Sequence, residues 1–326
     1  MNAVERTKNA MKCREVDRVP AGFYTHFPDQ EDNTVKDQVR WAKTAAMDYL
    51  VIETDGFMDF HWDGPLKTTA DWSRIRPHTK DDWYIRGQVD RAARIAEGLG
   101  DDCASFYIIY TPYSTIKHTV GGETAVNLMF RSDPAAITHA MQVIEEDNAL
   151  LMEGLSRTGL TGLFLSLQNG EKWRFTVPEY EEWMAPWDCR MLSKAKEVSE
   201  YNMIHLCSWG CEPNNIGLWK DMEYETVNWG VHIEEDLPLE KGHAYFGEDR
   251  AVMGGFDVRP GKLLQCGTEL EIKRFTKALL DKTGERGVLL SGDCSVQKET
   301  DEAHMRWVTE ACEEYAAHRG WKKIAF

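Results

Sequence analysis

The sequence predicts a (β/α)8 TIM barrel, the α/β fold in which eight parallel strands alternate with helices around one closed sheet. Short apolar runs rich in β-formers recur eight times, and longer stretches with a helical period separate them. An open doubly wound sheet would usually carry a glycine-rich phosphate turn after its first strand, and none follows the first run here. The predicted strands cover residues 19–26, 49–54, 105–112, 163–168, 202–208, 226–232, 251–257 and 288–294.

The stretches between these runs carry signals that start a helix. Such signals are a side chain that caps the first free N–H groups and a proline at the first helical position. They are Asn2 with Glu5, Asp133 with Pro134 before a run to about residue 157, and Thr268 with Glu271 before 269–282. A further helix is predicted near 213–223. Strand followed by helix is therefore the repeating order, as a barrel requires.

The chain is predicted to form one domain over residues 1–326, because no linker, repeat or low-complexity tract marks a boundary. Segment 55–100 is too long for a simple connection from strand to helix, and it is rich in tryptophan and charge. We expect this segment to pass over the barrel mouth as a lid. Its tryptophans then either pack the lid or line an aromatic pocket.

The charge balance argues against nucleic acid and membrane surfaces as partners. The chain has 54 acidic and 38 basic residues, and its net charge of −16 repels phosphate backbones and anionic headgroups. No apolar run approaches the roughly 20 residues of a membrane-spanning helix, and the N-terminus lacks the apolar stretch of a signal peptide. We therefore expect a cytoplasmic protein, in which the eight cysteines are apolar residues or metal ligands rather than disulfide partners.

Polar side chains are concentrated where the predicted strands end, the edge of such a barrel that carries the chemistry. Asp55 is the most informative, because a carboxylate after an apolar strand needs a partner, a metal or a substrate. A tyrosine here could instead close the top of the barrel, and Asp257 could cap the following helix. The strand-end groups are Tyr24, His26, Glu53, Asp55, Tyr110, Tyr113, Gln168, Asn169, His205, Cys207, His232, Glu234, Asp257, Asp293 and Cys294.

Three of these residues predict a zinc site. His205 and Cys207 stand at i and i+2 of one strand, so both side chains leave the same face, and Cys294 follows the last strand at the same mouth. One imidazole and two thiolates with a fourth position open are typical of catalytic zinc. The alternatives are that these cysteines are buried apolar residues, or that Cys211 completes a local site with His205 and Cys207.

Several motifs resemble the uroporphyrinogen decarboxylase superfamily, and together they extend over nearly the whole chain. The opening resembles the family's first helix, which ends in Asp-Arg-Val-Pro before the first strand. Later stretches resemble its fourth, fifth, seventh and eighth strands and the helix after the fourth. The motifs are ERTKNAMKCREVDRVP, GLFLSLQNG, VPEYEEWMAPWDCRML, IHLCSWG, VMGGFDVRPGKLLQCGT and GVLLSGDCSV.

The resemblance favours one branch of the superfamily. True decarboxylases carry an arginine-rich signature after the first strand, whereas this chain has AGFYTHFPDQ there. Asp55 matches the decarboxylases' catalytic aspartate, but His118 occupies the position of their active-site tyrosine. His205, Cys207 and Cys294 match the zinc ligands of cobalamin-dependent methyltransferases, although the family's last Gly-Cys is Gly-Asp-Cys here, which leaves the register of Cys294 open.

The resemblance therefore implies an enzyme that moves a methyl group between a small substrate and the cobalt of a separate corrinoid protein, with Zn2+ as its metal. The aromatic mouth favours an aryl methyl ether over a small thiol. Asp55 and His118 are the expected catalytic residues. Alternative functions are a thiol methyltransferase, a decarboxylase or other lyase, and a non-catalytic binding barrel. The protein could form a homodimer. The expected substrate-binding residues are Tyr24, His26, Tyr110, Tyr113, Gln168, His232 and Asp257.

Overall fold

A computed structural model describes residues 1–27, 32–208, 211–234 and 236–324. It contains one sheet of eight parallel strands in sequential order, which confirms the predicted (β/α)8 barrel. The sheet closes where Ala21 pairs with Leu290, whose N–H donates to Pro20 O at 2.9 Å. The end of the first-strand loop, from residue 28 to 31, lies outside the described residues. The strands are β1 (Gly22–Phe23), β2 (Tyr49–Ile52), β3 (Ala104–Tyr110), β4 (Gly162–Leu167), β5 (Asn202–Leu206), β6 (Thr226–Trp229), β7 (Ala251–Phe256) and β8 (Val288–Gly292).

Helices surround the barrel, and the predicted start signals are confirmed. The Asn2 side chain accepts from Glu5 N, Asp133 accepts from Ala136 N ahead of Pro134, and Thr268 forms a capping box with Glu271. The helices are α1 (Ala3–Met11), α2 (Asp32–Thr44), α3 (Thr69–Trp72), α4 (Trp83–Leu99), α5 (Pro112–Thr119), α6 (Glu123–Ser132), α7 (Pro134–Leu155), α8 (Val177–Trp183), α9 (Ala185–Val198), α10 (Gly242–Phe246), α11 (Leu263–Cys266), α12 (Glu269–Thr283) and α13 (Glu302–Ile324). Among the described residues, none of these helices is both long and apolar enough to cross a membrane.

One helix prediction is wrong. Residues 213–223 form only a short 3-10 turn over Ile216–Trp219 instead of a crossover helix. Pro213, the two following asparagines and Gly217 are poor helix formers, which explains why the helical period of this stretch is not realised.

Two apolar cores hold the barrel together. Inside the sheet, large side chains such as Tyr49, Phe106 and Phe164 fill the interior and are wholly buried. A second core lies between the outer face of the strands and the surrounding helices. Among the described residues, the barrel interior is therefore packed with side chains, which leaves the strand ends as the place for a site.

An ion cluster closes the opposite end of the barrel, where the strands begin. Asp48, just before β2 and 1% exposed, accepts hydrogen bonds from Arg6 of α1 at 2.6 Å and from Arg18 Nη2 at 3.0 Å. Its second oxygen accepts from Ala21 N at 2.9 Å. Asp48 thus joins the first helix, the Asp-Arg-Val-Pro turn and the first two strands.

The segment from residue 55 to 100 has two parts. Its second part is α4, the crossover helix that leads to β3. Its first part is anchored on α7, because His78 Nδ1 lies 2.6 Å from Asp147 Oδ2 and His78 N donates to Asp147 Oδ1 at 2.7 Å. Trp72 is fully buried with its ring 6.0 Å from that of Phe60. Trp72 therefore packs this segment onto the body of the protein.

A buried carboxyl group lies in the outer layer, away from the barrel mouth. Asp188 of α9 accepts hydrogen bonds from Tyr180 Oη at 2.6 Å and from Trp219 Nε1 at 3.2 Å. Burial raises the pKa of Asp188 to about 7, although both hydrogen bonds act in the opposite direction. The folded protein therefore retains a proton on Asp188 at pH values where the unfolded chain has lost it.

We expect Asp188 to make the protein less stable as the pH rises. Its ordinary pKa is 3.8, so its contribution is fully present below about pH 4 and is lost as the pH rises through the folded value near 7. The loss is at most about 1.4 kcal/mol per pH unit. Urea unfolding from pH 4 to 9 should show wild type losing stability relative to Asp188→Asn. Parallel pH curves for the two proteins would contradict the assignment.

Candidate functional site

The three predicted zinc ligands come together at the carboxyl ends of β5 and β8. Their ligand atoms all lie within 4.8 Å of one another, and Cys294 Sγ is 3.6 Å from His205 Nε2. His205 and Cys207 are buried, and Cys294 is partly exposed to the mouth. Cys207 directly follows β5, and its N–H still donates to Leu167 O of β4 at 3.2 Å, so its side chain and that of His205 leave the chain on the same side. Cys211 is exposed and lies outside this group.

The donor atoms suit a zinc ion. A hydrogen bond from the Cys207 thiol holds the pKa of Cys294 well below its usual range, and the same bond together with burial raises the pKa of Cys207. The surroundings of the pair therefore favour loss of the proton from Cys294 before loss from Cys207. A thiolate, a second thiol that loses its proton on binding and a neutral imidazole are ligands that zinc prefers.

On the β1–β2 side, His26 and Asp55 form an ion pair at the rim. His26 Nδ1 lies 2.8 Å from Asp55 Oδ1, and Asp55 Oδ2 accepts from Phe27 N at 2.7 Å. The hydrogen bond to Asp55 raises the pKa of His26 to about 9, so the imidazole is protonated at neutral pH. The sequence predicted that Asp55 needs a partner for its carboxylate, and in the structure this partner is His26.

Glu53 lies directly below this pair. Its carboxyl group is 2% exposed, accepts from Tyr110 Oη at 3.4 Å, and lies 4.0 Å from His26 Nε2. Burial raises the pKa of Glu53 to about 7. The charge at Cys294 raises the pKa of both Glu53 and His26 further. Glu53 therefore gains and loses its proton near neutral pH, between the rim and the predicted zinc ligands.

His118 and Lys117 of α5 form the neighbouring wall. The His118 ring meets the Tyr110 ring edge-on at 4.8 Å, and burial lowers the pKa of His118 to about 3. Lys117 is 1% exposed and donates to Gln168 Oε1, while burial lowers its pKa to about 8. His118 is therefore neutral at physiological pH and has no acidic proton to give.

On the opposite side, His232 and Asp293 form a second pair next to Cys294. His232 Nδ1 lies 2.7 Å from Asp293 Oδ2, which also accepts from His232 N at 3.0 Å. Burial lowers the pKa of His232, but its hydrogen bond with Asp293 outweighs burial and raises this pKa above its usual value.

Asp257 forms a salt bridge with Arg259, with Arg259 Nη2 2.5 Å from Asp257 Oδ2. His232 and Arg259 border an open cleft of about 850 Å3 that also contains Cys211 and Asn214.

Two of the strand-end tyrosines differ in their relation to the site: Tyr113 points away from it, whereas Tyr24 lies beside the predicted ligands His205, Cys207 and Cys294. Tyr113 belongs to α5, packs against Phe130 and Phe175, and donates its hydroxyl to Asn127, so it lies in the outer core. Tyr24 points into the barrel and donates to Asn228 Oδ1 at 3.3 Å. Neither hydroxyl therefore donates its hydrogen bond to the ion pair of His26 and Asp55.

Three residues outside the predicted set contribute to the site. Glu53 is among the polar residues predicted at strand ends, but no catalytic, substrate-binding or metal-binding role is predicted for this residue from the sequence. Asn228 lies between Val227 and Trp229 in a fully buried strand, which is a usable signal, because a buried amide needs partners. Lys117 gave no signal, since a lysine in a helical stretch is usually exposed.

Comparison with known proteins agrees with this architecture. Residues 61–315 match the family model of uroporphyrinogen decarboxylase (URO-D). A methyltransferase from Methanosarcina mazei has a TM-score of 0.71 at 14% identity, covering 97% of this chain and 99% of that chain. A B12-independent methionine synthase from Shewanella sp. W3-18-1 has a TM-score of 0.55 at 11% identity, covering 95% and 100%.

A putative B12-independent methionine synthase from Listeria monocytogenes has a TM-score of 0.54 at 13% identity and covers 86% of each chain. No curated protein sequence matches the chain significantly. At such low identities, the solved structures establish the fold alone. The family model, in contrast, matches most of the sequence, and the chain therefore belongs to the uroporphyrinogen decarboxylase (URO-D) family.

Proposed function

We propose that this protein is a zinc-dependent methyltransferase that moves a methyl group from an aryl methyl ether to the cobalt of a separate corrinoid protein. The observation that carries this proposal is the cluster of His205, Cys207 and Cys294, whose ligand atoms lie within 4.8 Å of one another at the barrel mouth. Membership of the URO-D family and the shared fold of a methyltransferase from Methanosarcina mazei support it.

His205, Cys207 and Cys294 would hold the metal and leave a fourth position toward the mouth. Bound there, zinc would supply a Lewis acid that draws electron density from the ether oxygen. Tyr110 and His118, in edge-on contact at 4.8 Å, form an aromatic wall against which the substrate ring packs. This wall favours a flat aromatic donor over a small thiol.

His26 is the proton donor in this mechanism, and Asp55 holds it in place. The reduced cobalt of the partner would supply the electron pair that accepts the methyl group as the O–CH3 bond breaks. The oxygen keeps the old bonding pair and takes one proton from His26. His118, a residue predicted for a catalytic role, suits proton donation less well than His26, because burial lowers its pKa to about 3. His26, with a pKa of about 9 and a half-exposed ring, holds a proton and regains it from solvent.

The test combines the zinc-loaded protein, cob(I)alamin or a reduced corrinoid protein, and guaiacol or veratrole. We expect the absorbance of Co(I) to convert to that of the methylated form, together with the release of a phenol. The rate should fall above about pH 9 as His26 loses its proton. Cys294→Ser serves as the inactive control.

Two results would contradict the proposal. If methylcobalamin and a small thiol give a thioether while every ether fails, the methyl acceptor is a thiol and the zinc binds that acceptor. If the zinc-loaded protein supports neither reaction, methyl transfer is not its activity.

A further inference from the structure

We propose that Asn228 is a positioning residue that fixes both the tautomer and the direction of His205, so that Nε2 is presented to the metal beside Cys294. The inference rests on the zinc site of the proposed function. It concerns an interaction within the chain, and that interaction is measurable in the metal-free protein.

The parallel register of the barrel places the two residues side by side. His205 on β5 pairs with Asn228 on β6, and His205 Nδ1 lies 2.6 Å from Asn228 Oδ1. Asn228 is completely buried, so water does not compete for this contact. A short hydrogen bond in such surroundings strongly favours one arrangement of the imidazole.

The orientation of the Asn228 amide is fixed by its other contacts. Its Nδ2 donates to Met253 O at 3.0 Å and to Gly292 O at 3.1 Å, which uses both amide hydrogens. A flipped amide would turn its oxygen toward these two carbonyl oxygens, where no hydrogen is available. The oxygen must therefore face His205.

An amide oxygen only accepts hydrogen bonds, so His205 Nδ1 must carry the hydrogen. In the neutral imidazole, Nε2 then keeps its lone pair, and this atom lies 3.6 Å from Cys294 Sγ. Two partners hold the imidazole plane: the Phe164 ring stacks on it at 5.6 Å, and the Tyr24 ring meets it edge-on at 6.1 Å. Rotation out of this plane would lose these ring contacts, and a 180° flip within the plane would lose the hydrogen bond to Asn228.

This arrangement explains why His205 pairs with the cysteine of β8. With Nδ1 occupied on the β6 side, the free nitrogen points across the mouth to Cys294. A histidine ligand needs such a partner on its other nitrogen to bind a metal well, and removal of a partner of this kind typically weakens metal binding about 10- to 100-fold.

The first measurement uses 15N-labelled histidine in the metal-free protein. Long-range 1H–15N spectra should show His205 with a protonated Nδ1 and an unprotonated Nε2, the signal being assigned by its loss in His205→Ala. Asn228→Leu keeps the approximate shape but removes the acceptor, so we expect mixed tautomers. Its zinc affinity, measured by chelator competition, should fall about 10- to 100-fold.

Two further variants separate positioning from folding. Asn228→Asp keeps an acceptor for Nδ1 and should keep the tautomer and a larger share of the zinc affinity than Asn228→Leu. Asn202→Leu is the matched control: Asn202 opens β5, is 3% exposed and donates to Ser199 O at 2.9 Å. It loses a buried amide far from the ligands and should leave tautomer and affinity unchanged.

The inference is overturned if wild-type His205 carries its proton on Nε2, a result that needs no variant to fold. It is also overturned if Asn228→Leu binds zinc as tightly as wild type and Asn202→Leu. A wild type that binds no zinc but shows the Nδ1–H tautomer, lost in Asn228→Leu, would refute the metal site of the proposed function and support the role of Asn228.

Discussion

Cys294→Ser is expected to reduce the zinc content from close to one ion per chain to a small fraction. The side chain is one of three ligands predicted among the described residues, and serine replaces a metal-binding thiolate with a hydroxyl that stays protonated. Cys294 Sγ lies 3.6 Å from His205 Nε2, so its loss leaves no other sulfur at that position. Metal analysis after dialysis and chelator competition measure the effect, and His205→Ala should behave in the same way.

Cys211→Ser is the matched control for this experiment. It makes the same chemical change at a cysteine of the mouth that is exposed and outside the ligand cluster. Its zinc content should equal that of wild type. If Cys211→Ser loses the metal while Cys294→Ser retains it, the site is the local one built from the loop after β5, and the assignment of Cys294 is wrong.

Asp48→Ala is expected to destabilise the protein by about 3–5 kcal/mol, because it removes the buried carboxylate of the ion cluster and leaves Arg6 and Arg18 only their more exposed partners, Asp17 and Glu313. Asp48 is 1% exposed and neutralises Arg6 and Arg18, whose side chains are about a tenth exposed. The first helix and the Asp-Arg-Val-Pro turn would lose their common acceptor. The midpoint and slope of urea unfolding measure the change.

Asp17→Ala provides the comparison. Asp17 pairs with the same Arg6 at 2.7 Å, but its side chain is 41% exposed, so its loss should cost about 1 kcal/mol or less. Equal losses for the two variants would contradict the distinction between the buried and the exposed partner. Zinc content should stay normal in both, since Asp48 and Asp17 lie at the opposite end of the barrel from the ligands.

The sequence predicts the strands well, because each one is a short apolar run between turns and is buried on both faces. It also predicts the direction of His205 and Cys207, since the alternation of side chains along a strand is a local rule. The same rule fails for Tyr113. Helix α5 begins at Pro112, two residues after β3 ends, so Tyr113 turns outward into the second core.

Contacts between side chains of neighbouring strands could not be predicted from the sequence. His26 and Asp55 were each predicted as separate strand-end groups, but their ion pair depends on the geometry of two neighbouring loops. The contact of His205 with Asn228 depends on the register of β5 against β6. Register is set by the whole barrel, because every strand is held by both neighbours, and no local pattern encodes it.

The closure of β8 onto residues 20–21 also bears on the order of folding. This contact joins the two ends of the sheet, so it carries the largest loop-closure cost and belongs to a late step. A chain that has not yet closed contains His205 and Cys207 but lacks Cys294 beside them. The predicted metal site and the barrel would thus be completed in the same event, and zinc binding would stabilise the closed barrel against reopening at this seam.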